Sequence, residues 1–321
     1  MRKASALIVT AGLVMTALTA CASPGTAEAS CDTGATSGAA SKLVSASGDF
    51  GSAPDVTFPT PLKSTSTQAT EIISGSGTKS VAGQQLNVEL NVYNGTTGQL
   101  IQQGAYDGTN FIPVVLNGVG IKGITDGLLC SQVGERVAIV VAPDDAFGAA
   151  GNEQFGVAPT DSLVVVADVV KAFLPRADGA DQTVANGLPA VVLNADGVPG
   201  VVVPNGDAPT TLEVGVLKKG AGEKVVEGST ITVNYSGVLW KEKTVFDSSW
   251  ANGSPMPLVV AAGSETQAGV IAGMATALTG QTVGSQIVMV IPPELGYGSA
   301  ATAAIPADST LIFVVDILGV N

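Results

Sequence analysis

AGVIAGMATALTGQTVGSQIVMVIPPELGYG, residues 268–298, is matched without a gap by GVGIKGITDGLLCSQVGERVAIVVAPDDAFG, residues 118–148. At this displacement of 150 residues Ile121, Gly123, Leu128, Val133, Gly134, Val140, Pro143 and Gly148 recur as Ile271, Gly273, Leu278, Val283, Gly284, Val290, Pro293 and Gly298. Ordered recurrence of this kind implies duplication, hence two related copies of one fold. Phe147 stands where the second copy has Tyr297, and upstream Tyr93-Asn94-Gly95 is read as the answer to Tyr235-Ser236-Gly237. Within the second copy Val270, Ile271, Met274 and Leu278 fall at three- and four-residue steps, which predicts one short helix with a single apolar face. Residues 287–291 and 311–318 are Val- and Ile-rich runs bounded by Pro292-Pro293 and Asp308-Ser309, the pattern of central strands. Ile231, Val233 and Tyr235 alternate with Thr232 and Asn234, as in a half-buried strand. A sheet packed on one such helix makes each copy α+β.

The composition agrees with this and narrows the chemistry. A chain of 321 residues is long enough for about two domains, each with its own core. Charged residues are 13% and glycines number 40, which favours a turn-rich β architecture over long exposed helices. The net charge of -13, with no offsetting run of Lys or Arg, argues against a nucleic-acid role. Histidine is absent, which removes the usual base of a catalytic triad and the commonest metal ligand. What remains favours an apolar binding cleft, with no cofactor and no metal expected.

Arg2 and Lys3 precede an uncharged, small-residue stretch from Ala4 to Ala20, shorter than the ~20 strongly apolar residues of a membrane span. Residues 1–20 read as an export signal. The closing Leu18-Thr19-Ala20-Cys21 resembles the lipobox of bacterial lipoproteins, which implies a lipid on Cys21 and a location outside the cytoplasm, anchored to the cell membrane. An ordinary signal peptide with a chance cysteine is the alternative. Residues 21–53, rich in Ala, Ser, Gly and Thr, are expected to form a flexible tether. The two copies are placed at 54–175 and 209–321, joined by a linker at 176–208 that holds Pro189, Pro199, Pro204 and Pro209. Val191, Val192 and Val201 to Val203 within it suit short edge strands. Cys31 and Cys130 of an exported chain could pair as a disulfide, with a buried thiol at Cys130 as the alternative.

The motif order in the second copy carries a specific resemblance. Asn234-Tyr235-Ser236-Gly237, Phe246-Asp247-Ser248-Ser249, Val270-Ile271, Val283-Gly284, Ile291-Pro292-Pro293, Gly296-Tyr297-Gly298, Ile305-Pro306 and Phe313 together resemble an FKBP-type peptidyl-prolyl cis-trans isomerase throughout residues 209–321. The resemblance implies two FKBP-like domains, each a twisted antiparallel β-sheet wrapped around a short α-helix. It implies catalytic roles for Tyr235, Phe246, Asp247, Tyr297 and Phe313, and substrate contacts from Met256, Val270, Ile271, Met274 and Ile305. Tyr297 and the Ile271 backbone N–H would donate hydrogen bonds to substrate carbonyls. Trp240 and Trp250 are expected to flank the pocket.

Some positions depart from the family pattern. Met274 stands where a tryptophan floor is usual, Met256 replaces an aromatic wall and Asn252 replaces a basic residue, which leaves macrolide inhibitor binding open. In the first copy Tyr106-Asp107-Gly108-Thr109 is read as the counterpart of Phe-Asp-Ser-Ser, with Ile124, Phe147 and Val165 at the floor, Tyr297 and Phe313 positions. That copy is expected to have little or no activity. The implied substrates are proline-containing exported polypeptides. The alternative is a non-catalytic chaperone or binding protein of the cell surface.

Overall fold

The computed structural model describes residues 34–184, 186–263 and 269–321. Residues 1–20, Cys21 and Cys31, which carry the export, lipid and disulfide expectations, lie outside these. In chain order the elements are β1 (Ser45–Ser47), β2 (Asp55–Thr57), β3 (Gln68–Ile73), β4 (Gln85–Asn94), β5 (Leu100–Gln102), β6 (Ile112–Val115), α1 (Lys122–Leu128), β7 (Arg136–Val141) and β8 (Leu163–Ala172). There follow β9 (Ala180–Asp181), β10 (Ala190–Leu193), β11 (Pro199–Val202), β12 (Glu213–Lys219), β13 (Thr230–Leu239), β14 (Val245–Ser248), α2 (Ser249–Asn252), β15 (Met256–Val259), α3 (Ala272–Leu278), β16 (Gln286–Ile291) and β17 (Leu311–Val320).

Two large antiparallel sheets result, as the α+β reading requires, beside the two-stranded pairs β1–β2 and β10–β11. The first runs β3-β7-β8-β4-β5 with β6 also on β4; the second runs β14-β13-β17-β16-β12 with β15 also on β13, and β9 extends it beyond β12. The correspondence is strand for strand, and α1 answers α3. Each helix presses on the inner face of its own sheet: Ile124 and Leu128 join Leu86, Val88, Leu90 and Val165, while Met274 and Leu278 join Ile231, Val233, Tyr235 and Phe313. The second helix is shorter than its apolar pattern suggested. Val270 and Ile271 precede it in extended backbone, Ile271 serving as the N-cap residue at φ -58° and ψ 147°.

The apolar runs of β16 and β17 are continuous because both faces of that sheet are covered. Val288, Val290, Ile312 and Val314 point away from α3 and pack with Val203, Trp240, Leu188, Val191 and Val201. The segment expected as a linker is therefore part of the fold: β10 pairs with β11 rather than with a sheet edge, and this hairpin closes the outer face. The expected tether is likewise folded from residue 34 onward. Ala40, Val44 and Ala46, with the β1–β2 hairpin, cover Ala138, Val140, Val164 and Val166 on the outer face of the first sheet.

A buried polar row fastens each cover. In the first sheet Arg136, fully buried, forms a two-pronged ion pair with Asp168 at 2.6 and 2.8 Å, and its remaining N–H groups reach the carbonyls of Gly48, Asp49 and Ser52. Asp168 also accepts the Gly51 N–H at 2.7 Å. At the same register in the second sheet, Asp316 accepts from Gln286 at 2.7 Å and from the Ala177 N–H at 2.8 Å.

Strand pairing corrects two of the expected correspondences between copies. Tyr235 pairs across to Val315 and thence to Ile287, whereas the residue of β4 in that position is Leu90, paired to Ala167 and thence Val137. Tyr93 lies three residues further on, on the opposite face, edge-to-face with Phe58 at 5.8 Å. Similarly, β5 places Ile101 and Gln102, not Tyr106 and Asp107, where β14 has Phe246 and Asp247. Tyr106 sits near Glu89, Arg136 and Asp168, and burial pushes its phenol well above the ordinary range. Asp107 closes a turn, accepting from Thr109 and Asn110.

Candidate functional site

Nine of the ten expected pocket residues converge on one cavity of about 620 Å³ on the inner side of the second sheet: Tyr235, Phe246, Asp247, Met256, Val270, Ile271, Met274, Tyr297 and Phe313. Ile305 does not line it. Its side chain is 5% exposed and belongs to the core behind the cavity, so it acts by packing. Trp240 does not flank it either, since it is buried under the connector on the far face with its indole N–H toward the Gly206 carbonyl at 3.4 Å. Trp250, on α2, is absent from the lining. Leu258 is a lining residue that the motif reading passed over. It follows Met256 by two on β15, the strand period that places both on one face.

The rings are set by register. Phe313 on β17 pairs with Gly237 on β13, and Phe246 reaches over that glycine to meet Phe313 edge-on at 5.5 Å and 90°. A Cβ at Gly237 would lie 2.5 Å from Phe246 Cζ, so this ring position requires glycine beneath it. Tyr235 completes the wall at 6.2 Å from Phe313. Such edge-on and tilted contacts match the ring quadrupoles and hold the rings apart around the cavity. Met274, 6% exposed, rises from α3 as a flexible thioether floor.

Polar groups are few and mutually fixed. The Tyr235 hydroxyl donates to Asp247 Oδ2, and burial together with that carboxylate raises the phenol pKa above its usual 10.0. Asp247 is thus held by a phenol in place of a cation. The two neighbouring motifs lock each other: Ser249 Oγ accepts the Tyr235 N–H at 2.9 Å and donates to Asn234 Oδ1 at 3.0 Å, and Ser236 and Ser248 hydroxyls meet at 3.1 Å. Tyr297 stands at the mouth, 41% exposed, on a turn in which Gly298 (φ 56°) donates to the Pro293 carbonyl at 2.9 Å and accepts from the Asp308 N–H at 2.8 Å. Among the described residues, neither the Tyr297 hydroxyl nor the Ile271 N–H has a hydrogen-bond partner. Both are available to an incoming carbonyl. No cluster of three or more His, Cys, Asp or Glu suited to a metal occurs among the described residues.

The equivalent cavity of the first copy is smaller, about 270 Å³, and lined by Leu90, Ile101, Gln102, Ile124, Phe147 and Phe155 among others. Ile124 and Phe147 stand where the sequence placed them. Val92 occupies the Gly237 position, which leaves no room for a ring above it, and an isoleucine stands there instead. The cavity offers neither a tyrosine hydroxyl nor a carboxylate.

A family model described as FKBP-type peptidyl-prolyl cis-trans isomerase matches residues 77–166 and 221–318, more than half of the chain. The chain belongs to the FKBP family. Among curated relatives, an FK506-binding protein of Streptomyces anulatus is 34% identical over 124 residues, 38% of this chain and 96% of that protein. The FKBP-type peptidyl-prolyl cis-trans isomerase FkpA of Escherichia coli strain K12 is 40% identical over 112 residues, 35% of this chain and 38% of that protein's length. Of solved structures, the three FKBP domains of wheat FKBP73 align at 20% identity and TM-score 0.36, covering 79% of this chain and 94% of that one. Each of the two matched regions holds a sheet packed on one short helix, while the hydroxyl, carboxylate and ring trio resides in the second.

Proposed function

We propose that the second FKBP region catalyses cis–trans isomerisation of X-Pro bonds, with the cavity around Met274 holding the proline ring. The observation that carries this is the pairing of an apolar, ring-walled cavity with two unspent donors, Tyr297 Oη–H and Ile271 N–H. Rotation about the amide is slow because resonance imposes a barrier of ~18–20 kcal/mol. That resonance places negative charge on the carbonyl oxygen and is favoured by water, so an apolar wall disfavours the planar ground state relative to the twisted one. Donors on the flanking carbonyls fix the peptide while the bond turns. Asp247, oriented by Tyr235, faces the carbonyl as a polar edge. No bond is made or broken, so a site without histidine is chemically sufficient.

The protein works outside the cytoplasm, on proline-containing exported polypeptides, anchored through a lipid on Cys21. The Arg2-Lys3 charge, the uncharged run and Leu18-Thr19-Ala20-Cys21 support this. Two acyl chains suffice for stable anchoring, at ~0.8 kcal/mol per buried CH2. The smaller first cavity, without hydroxyl or carboxylate, favours binding without catalysis. In a proline-limited refolding assay the full chain accelerates refolding, and Tyr297→Phe combined with Phe246→Ala abolishes the acceleration; equal rates for the two chains would overturn the assignment. Palmitate labelling of cells is lost with Cys21→Ala, and unchanged labelling would refute the anchor.

A further inference from the structure

A hydrogen-bonded contact ties together the segments that lead into the two cavities. Asn117, in the turn between β6 and α1, donates through Nδ2 to the Gly253 carbonyl at 2.7 Å and lies 3.2 Å from Ser254 Oγ. Two residues after Asn117, Val119 lines the first cavity and is 73% exposed. Two residues after Ser254, Met256 lines the second and is 43% exposed. With ~3.8 Å per Cα step, this path keeps the rims within about 25 Å, a distance an extended polypeptide covers in roughly seven or eight residues.

The first cavity is uncharged and chiefly aliphatic and aromatic, and it opens through exposed Val119 and 43%-exposed Phe155. Such a surface gains from burying an apolar side chain, and it lacks the tyrosine hydroxyl and carboxylate of the second cavity. We infer that it holds an apolar side chain of the same unfolded polypeptide whose proline occupies the second cavity, so that one extended segment is bound at two points. The inference rests on the reading of the second cavity as the proline site. Continuity through the Asn117 hydrogen bonds singles out this occupant, because a chain leaving the Met256 rim meets Val119 within its own reach. The overall charge of -13 selects against acidic segments. Holding the client at a second point raises its effective concentration at the first without altering the chemistry there.

The test uses the full chain with Val119→Asp and Phe155→Ser, both at the exposed rim of the first cavity, and two substrates. One is a tetrapeptide containing Leu-Pro, too short to span the rims; the other is an unfolded protein whose refolding is limited by proline. The variants keep the wild-type kcat/KM on the tetrapeptide, while KM for the unfolded protein rises at least about tenfold at constant kcat, as loss of one buried apolar side chain predicts. An unfolded, proline-free competitor rich in Leu and Phe inhibits the wild type and loses potency against the variants by a similar factor. Unchanged KM on the unfolded protein, or an equal loss on both substrates, overturns the two-point site alone. Failure of the wild type to accelerate either substrate overturns the isomerase assignment and the two-point site with it.

Discussion

Tyr297 and Tyr235 are both phenols at one cavity, yet their surroundings separate their roles. Tyr297 is exposed and, among the described residues, without a hydrogen-bond partner; on its proposed role as a donor, Tyr297→Phe should lower kcat/KM roughly fivefold, the equivalent of one hydrogen bond of about 1 kcal/mol, and leave thermal stability unchanged. Tyr235 is buried and bonded to Asp247, and its phenol pKa lies above 10.0. Since the folded-state pKa is raised, the stabilisation tied to the protonated phenol is complete below pH 10.0 and is lost as pH rises through the folded value. Ultraviolet titration should show this phenol, like that of Tyr106, ionising above pH 10.0. Isomerase activity should be level from about pH 6 to pH 9, since the chain holds no histidine, the side chain that ordinarily changes charge near neutrality. Gly237→Ala drives a methyl into the Phe246 ring, so it should destabilise the protein by about 1–3 kcal/mol and reduce activity together.

At the scale of elements, motif order located the cavity well because Tyr235, Phe246, Tyr297 and Phe313 each sit in a short local signature that the strands carry to one place. Register was less legible. Tyr93-Asn94-Gly95 imitates Tyr235-Ser236-Gly237 in letters, but hydrogen bonding to β8 puts Leu90 in the tyrosine's position. The covers were half legible: the valines at 191–192 and 201–203 suit short strands, as β10 and β11 are, but that this hairpin closes an outer face follows only once the far sides of β16 and β17 are known to need burial. Trp240 was misplaced because a burial side cannot be read from a residue type, whereas Ile305 lies on the expected inner side but packs in the core with Met274 and Phe313. The polar rows make the covers testable. Asp168→Ala leaves Arg136 buried without its counter-charge and should cost about 3–5 kcal/mol. Limited proteolysis should then cut within residues 48–52, whose carbonyls Arg136 holds.

Across the whole molecule, duplication has been followed by divergence of the cavities while the scaffold was kept. Restoring one group to the first cavity is insufficient. Phe147→Tyr, added to a chain disabled by Tyr297→Phe and Phe246→Ala, should give no refolding catalysis, since Ile101 and Gln102 still replace the ring and carboxylate. The copies also meet where β8 leaves the first sheet: Phe173, 1% exposed, lies against Gly319, and the Leu174 N–H reaches the Leu318 carbonyl at 3.0 Å. The strap of residues 40–58 has a mechanical consequence. A pull applied at residue 34 bears on this strap first, and the Gly48, Asp49 and Ser52 carbonyls held by Arg136 pass it to the Arg136–Asp168 clasp and the strands of the first sheet.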